Sequence, residues 1–189
     1  MKALLVLDMQ KGILAKKNFS SEKDLIKKMI NRFKDQGNPV IFMKHKDENP
    51  ESCIYSQSED SEIENQFVKY IDYLVEKATP SAFLHTSLDD ILRQNNVNHV
   101  VVVGFNTEYC CLFTSIAAFE KGYKVTVIED ATGTVNDGET YEMPGLNIND
   151  FVGSVLNWSN VIEVLYYSEY VDSYIGKGSN CNETSAYSN

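Results

Sequence analysis

Four consecutive valines, Val100 to Val103, constrain this chain more than any other feature. A run that is β-branched at every position has no polar face. It therefore suits a strand covered on both sides, as in the middle of a parallel sheet. Gly104 closes the run. Thr107 is a plausible helix N-cap and Glu108 suits the first turn of that helix. Cys110 then opens an apolar segment, residues 110–119. A cysteine at the start of a helix lies at the positive end of the helix dipole, where its thiolate is favoured. It also lies beyond the carboxyl end of a strand, where open α/β sheets bind ligands. The plainer alternative, that Cys110 and Cys111 are two small buried hydrophobes, carries equal weight at this point.

The valine run has companions. Residues 3–7 form an apolar run closed by Asp8, and residues 40–43, 124–128 and 161–165 form others. Residues 73–75 read as a further strand running into Glu76-Lys77. Helical spacing separates these runs. Leu25, Ile26, Met29, Ile30 and Phe33 follow a possible cap at Ser20 or Ser21, and Leu88, Ile91 and Leu92 follow Thr86. Gly122 stands where a C′ glycine belongs after the segment that begins at Cys110. Residues 150–156 suggest a last short helix, and residues 63–71 read equally as helix or loop. Strand and helix alternate throughout, which predicts a doubly wound α/β domain. The expected sheet is six-stranded and mainly parallel, in the order 3-2-1-4-5-6, with helices on both faces. Residues 1–170 would form one domain, and residues 171–189, rich in Ser, Asn and Gly, a largely disordered tail. Two long polar excursions, residues 45–62 and 131–149, are the variable parts of such a fold.

Composition removes several classes of function. A formal net charge of −10 argues against nucleic-acid binding, which needs clustered Lys and Arg. No apolar stretch reaches membrane-spanning length, and the opening apolar run is too short for a signal peptide. The expected location is cytoplasmic. Four cysteines, Cys53, Cys110, Cys111 and Cys181, form neither a CxxC pair nor a zinc pattern. No Gly-x-Gly-x-x-Gly follows any strand, which disfavours a dinucleotide-binding domain.

The expected strand order sets strand 1 beside strand 4. Asp8 and Cys110 then meet at the switch point, and Lys77 can reach the same crevice. A thiol, a carboxylate and an ammonium together supply a nucleophile, a base and a cation. Taken singly, Asp8 reads as well as a turn cap and Lys77 as a surface lysine.

Three motifs carry a family resemblance. They are Leu4-Leu-Val-Leu-Asp8-Met9-Gln10, Lys77-Ala-Thr-Pro-Ser81-Ala82-Phe83, and Gly104-Phe-Asn-Thr107-Glu108-Tyr-Cys110. In this order and spacing they resemble the isochorismatase-like cysteine hydrolases, which include nicotinamidases and N-carbamoylsarcosine amidohydrolases. The resemblance spans the chain from Met1 to about Tyr170. It implies a catalytic set of Asp8, Lys77 and Cys110, with Cys111 a buried neighbour. It also implies a cis peptide between Phe105 and Asn106 and an oxyanion site made by the amides of Asn106 and Cys110. The implied reaction is cleavage of an amide-type C–N bond in a small molecule, through a thioester on Cys110. Ile13, His45, Phe105 and Tyr109 are candidates for the pocket walls. Metal-dependent nicotinamidases carry Asp-x-His after the second strand. This chain has Lys44-His45-Lys46-Asp47 there, with His85 and His99 as its other histidines, so no metal or other cofactor is expected. Nicotinamidase activity and a non-catalytic ligand-binding or redox-sensing role are the alternatives. The resemblance further implies a homodimer or a larger homo-oligomer.

Overall fold

The valine run forms the centre of a sheet in the computed structural model, which describes residues 1–174. In chain order the main elements are β1 (Lys2–Leu7), α1 (Lys11–Leu14), α2 (Ser20–Asp35), β2 (Val40–His45), α3 (Asn65–Val68) and β3 (Tyr73–Lys77). There follow α4 (Leu88–Gln94), β4 (His99–Phe105), α5 (Leu112–Glu120), β5 (Lys124–Gly133), α6 (Ile148–Trp158), β6 (Glu163–Leu165) and α7 (Tyr167–Tyr174). The six strands lie in the order β3-β2-β1-β4-β5-β6, all neighbours parallel, as predicted.

Alternation along the strands builds two cores. Ala3, Leu5 and Leu7 of β1, with Val100 and Val102 of β4, face α4, α5 and α6. Leu4 and Val6, with Val101, Val103 and Phe105, face α2 and Tyr170 of α7. All four valines are fully buried, each worth roughly 1.5–3 kcal/mol relative to exposure. In α2 the buried positions are Ile26, Met29, Ile30 and Phe33, the stripe the spacing predicts.

Several boundaries differ from expectation; β5, for one, runs to Gly133 and takes in the start of the segment expected to be a polar excursion. Neither Ser20 nor Ser21 caps α2; the Asn18 Oδ1 accepts the Ser20 N–H at 3.1 Å instead. The segment after β4 does not enter an α-helix directly. Residues Thr107–Cys111 form a π-helical turn, with the Cys111 N–H donating to the Asn106 carbonyl five residues back, and α5 starts at Leu112. Thr107 is therefore not an N-cap; its buried hydroxyl has no partner. Finally, α7 continues through Tyr174, past the expected start of the tail. Tyr170 holds it there, stacked between Phe33 at 6.4 Å and Tyr174 at 5.0 Å. The rest of the tail, with Cys181, lies outside the described residues. No helix of the described residues is long and apolar enough to cross a membrane.

Candidate active site

Three strand ends converge because the sheet is parallel and its registers are aligned. Leu7 pairs with Gly104 on one side and Met43 on the other, and His45 pairs with Lys77. Asp8 thus leaves the sheet between β2 and β4. Its backbone turns out of the strand at φ 49°, a left-handed conformation that Asp tolerates better than most residues. The close approach of β1 and β4 at this edge demands a glycine opposite. Gly104 has φ 117°, and a Cβ there would lie 2.2 Å from the Leu7 carbonyl oxygen.

Lys77 is the hub of the site, with its side chain fully buried. Its Nζ lies 2.8 Å from Asp8 Oδ2, 3.1 Å from Cys110 Sγ and 3.0 Å from His45 Nδ1. The sulfur, the carboxylate and the imidazole also lie within 4.8 Å of one another. Asp8 Oδ1 is buried without a hydrogen-bond partner. Asp8, Lys77 and Cys110, which the sequence places far apart, are therefore in mutual contact.

Electrostatics assign resting charges. Burial by itself would lower the Lys77 pKa, but the Asp8 carboxylate and the Cys110 sulfur outweigh it, and the net shift is upward. Lys77 stays an ammonium. Burial lowers the His45 pKa and the neighbouring ammonium lowers it further, so His45 is neutral and can accept the Lys77 proton through Nδ1. Burial pushes the Cys110 thiol up, and the Asp8 charge adds to it; Lys77 only partly opposes them. This runs against the argument that the start of a helix favours the thiolate. The favourable dipole and ammonium lose to desolvation and a neighbouring anion. The site rests as a neutral thiol beside a carboxylate. Cys111 is buried more completely, within the core under α5, and its thiol is raised well above the ordinary value.

The same geometry tests the cluster as a metal site. Asp8, His45 and Cys110 offer three donor atoms, but the Lys77 ammonium lies within 3.1 Å of all of them. A divalent cation there would meet a fixed positive charge and a protonated thiol, so these residues do not suit a metal. His99 sits at the opposite end of the sheet against Thr126, and His85 is exposed in a turn.

A cleft of about 190 Å³ opens onto Cys110. Ile13, His45 and Tyr109 line it, together with Asp8, Asn106 and three residues that the sequence did not single out, Asp47, Ile54 and Pro80. Phe105 does not line it. It continues the alternation of Val101 and Val103 into the opposite core and packs edge-on against Phe19 at 4.6 Å. Asp47 and Ile54 arrive on the long loop after β2. That loop is pinned by Gln10, whose Nε2 donates to the carbonyls of His45 (2.9 Å) and Ser61 (2.7 Å), while its Oε1 accepts the His45 N–H. Gly12 allows the loop to settle, since a Cβ there would fall 1.7 Å from the Cys53 carbonyl oxygen. The Asp8-x-Gln10 pairing was the available signal for Gln10; nothing local marked Asp47 or Ile54.

The turn that carries Cys110 is held from both sides. The Phe105–Asn106 peptide is cis. Asn106 Oδ1 accepts the Val135 N–H at 3.1 Å. Glu108 Oε1 accepts from Thr134, Asn136 and Tyr141 at 2.7–3.0 Å. The segment at residues 131–149 is thereby tied to the nucleophile turn, and the Tyr141 hydroxyl meets that of Tyr109 at 2.9 Å. Beneath the Lys77 motif, the Ala82 N–H donates to Thr114 Oγ1 of α5 at 3.1 Å.

Comparison with known proteins bears on the family and the fold. The isochorismatase domain family model matches residues 2–158. The isochorismatase family protein YrdC of Bacillus subtilis is 29% identical over 150 residues, covering 74% of this chain and 79% of that protein. Nicotinamidase 3 of Arabidopsis thaliana is 34% identical over 164 residues, covering 77% of this chain and 79% of that protein. The crystal structure of an isochorismatase-like hydrolase from Alkaliphilus metalliredigens superposes with a TM-score of 0.75 at 20% identity, over 92% of this chain and 98% of that one. That last likeness speaks to the fold alone. With the family model spanning most of the chain and the Arabidopsis relative above 30% identity, this chain is a hydrolase of the isochorismatase-like cysteine hydrolase family.

Proposed function

We propose that this protein hydrolyses an amide-type C–N bond of a small molecule, with Cys110 as nucleophile, Asp8 as general acid and base, and Lys77 as the residue that holds them in register. The observation that carries this reading is the three-way contact at the sheet edge, with the Lys77 Nζ 2.8 Å from Asp8 and 3.1 Å from Cys110. In it, Asp8 takes the thiol proton as Sγ bonds to the substrate carbonyl carbon. The amides of Asn106 and Cys110 receive the oxyanion, an arrangement in which losing one donor typically costs about 2.7–4 kcal/mol. Collapse breaks the C–N bond, and the leaving amine takes the proton from Asp8. Water then attacks the thioester, giving one proton to Asp8; the acid departs and Cys110 recovers its proton. The neutral resting thiol requires such a base, since no thiolate stands ready. No step uses a metal.

The named activity of the Arabidopsis relative makes nicotinamide the first amide to assay. Against a panel of small amides, wild-type protein should release ammonia or amine, and Cys110→Ala should lose at least about a thousandfold of kcat/KM. Mass spectrometry of acid-quenched wild-type enzyme should show an acyl adduct on the peptide bearing Cys110. Full activity in Cys110→Ala would end this reading. A cytoplasmic setting and a homo-oligomer complete the proposal. For the oligomer, α5 leaves Phe113, Ile116 and Phe119 exposed, and α6 leaves Phe151, Val155 and Trp158 exposed. Apolar surface of this extent is uncommon on a monomer. Light scattering measures the assembly.

A further inference from the structure

We propose that the cleft selects amides whose non-reacting portion is neutral or cationic and rejects those that carry a carboxylate, and that Asp47 sets this preference. The inference rests on the hydrolase reading for its substrate class, but the charge argument stands on the cleft itself. At the floor of the cleft Asp8 is paired with Lys77 behind it, and their charges cancel toward solvent. Lys77 is fully buried, with its protons committed to Asp8, Cys110 and His45, so it presents no cation to a ligand. His45 faces the same space as a neutral ring. Among the described residues no Lys or Arg lines the cleft. The nearby surface lysines are already matched, Lys11 by Glu59 at 2.7 Å, Lys44 by Glu62 at 2.7 Å and Lys46 by Glu76 at 3.6 Å.

Asp47 is the remaining charge. The N–H of Asn49 donates to its Oδ1 at 2.9 Å. That bond and the Ser52 hydroxyl hold its carboxyl below the ordinary range. The loop around it is also held through its backbone, because the Asp47 carbonyl accepts from both the N–H and the hydroxyl of Ser56. The cleft therefore has a net negative wall and an apolar wall of Ile13, Ile54 and Pro80. With the amides of Asn106 and Cys110 taken by the reacting carbonyl, a carboxylate elsewhere in it would lose water and gain no cationic partner, only a repelling neighbour. An uncharged or cationic group meets neither cost. The volume, about 190 Å³, lies below the roughly 300–1,000 Å³ of pockets for drug-sized ligands, which restricts the substrate to a small amide.

The test separates the cleft's charge from its catalysis. Iodoacetamide and iodoacetate are near-isosteric alkylating agents that differ by one negative charge, and both carry a sulfur-reactive carbon. Their rates at Cys110 are read by mass spectrometry of its peptide and normalised to the same pair reacting with a small neutral thiol. Wild type should favour iodoacetamide by about tenfold, the scale of one charge several ångströms away at a dielectric between protein surface and water. Asp47→Asn keeps the Oδ1 acceptor for Asn49 and should narrow the preference several-fold. Raising the salt should narrow it in wild type as well, because the carboxylate is screened. In parallel, an amide and its carboxylate-bearing counterpart, succinamide and succinamate, are compared for ammonia release. Equal rates for the two reagents, a preference for iodoacetate, an unchanged ratio in Asp47→Asn with no salt effect, or no reaction at Cys110 while Cys53 is modified would each overturn the proposal. A retained preference for iodoacetamide with no amide turned over would instead sink the hydrolase reading and leave the charge selection standing.

Discussion

Strand β4 has a polar cluster at each end, and the two differ in how completely they are satisfied. At its start, His99 Nε2 lies 2.8 Å from Thr126 Oγ1, whose proton goes to Glu163 Oε2 at 2.5 Å. Tyr174 donates to the same carboxylate oxygen at 2.6 Å and accepts from Lys124. Lys2 sits over the Tyr174 ring at 4.0 Å. None of these groups is a buried atom without a partner. Beyond the other end of β4, Asp8 Oδ1 is buried without one, and a neutral thiol faces a carboxylate. The first cluster is closed and has nothing left to bind. The second keeps an acceptor and a nucleophile free beside an open cleft. Both join charged side chains to buried polar groups, so that combination does not by itself mark a functional site; what distinguishes the second is an unpaired acceptor and a nucleophile together beside a cleft.

Substitutions can break this contrast, and the largest effect belongs to Lys77. Replacing it by Ala leaves the Asp8 carboxylate buried and uncompensated, which should cost about 3–5 kcal/mol of stability as well as activity. Urea unfolding measures this, and the double variant Asp8→Asn/Lys77→Met should regain most of the stability but none of the turnover. Loss of equal stability in the double variant would show that packing, not charge, was responsible.

At the closed end, Thr126→Val removes the hydroxyl that His99 and Glu163 share. It should cost about 1–3 kcal/mol while leaving kcat/KM within roughly twofold of wild type. A large kinetic effect would mean that the two ends are coupled. A smaller effect concerns pH. Burial and the neighbouring Lys124 and Lys2 lower the His99 pKa to about 4. Unfolded chain takes up a proton near the ordinary value of about 6.5, so between these values the unfolded state binds more protons and stability rises with pH. The contribution is complete above about pH 6.5 and is lost as pH falls to about 4. After solvent screening it should amount to about 1–2 kcal/mol, and His99→Gln should flatten that part of the profile. A steeper slope in the variant would reverse the sign and exclude this account.

The smallest effect is expected at the rim of the open end. Tyr109→Phe removes the hydroxyl contact with Tyr141 and should change stability by about 0.5–1.5 kcal/mol, with a few-fold rise in KM and little change in kcat. A collapse of kcat would move Tyr109 from the wall of the cleft into the chemistry.

The two ends also differ in how legible they are in the sequence. That Asp8 and Cys110 share a crevice followed from two strand ends and a strand order. The roles of Gln10, Asp47, Ile54 and Pro80 did not follow, because they arrive on connections with no periodicity. The path of the long loop is set by one buried glutamine bonded to two distant carbonyls. The start of α2 was hidden for a similar reason: Phe19 takes the N-cap position with no side-chain cap, and Asn18 Oδ1 accepts only the Ser20 N–H, a choice made by the folded geometry among several suitable side chains. At the closed end the sequence shows His99 only as a histidine unsuited to a metal. Its partners Thr126 and Glu163 come from two other strands.

What the sequence by itself determined is the frame. Runs of β-branched residues, alternating with helical stripes, specify which residues end strands, and a parallel sheet then puts those ends on one edge. This works because strand and helix periodicity is a local property. Only the tertiary structure decided the state of the site. The cysteine is a neutral thiol rather than a thiolate, Phe105 turns to the far core rather than the cleft, and the charge at the mouth is that of Asp47. Each of these depends on burial and on distances between segments remote in the chain, summed over several neighbours of opposite sign, and no local pattern encodes such a sum.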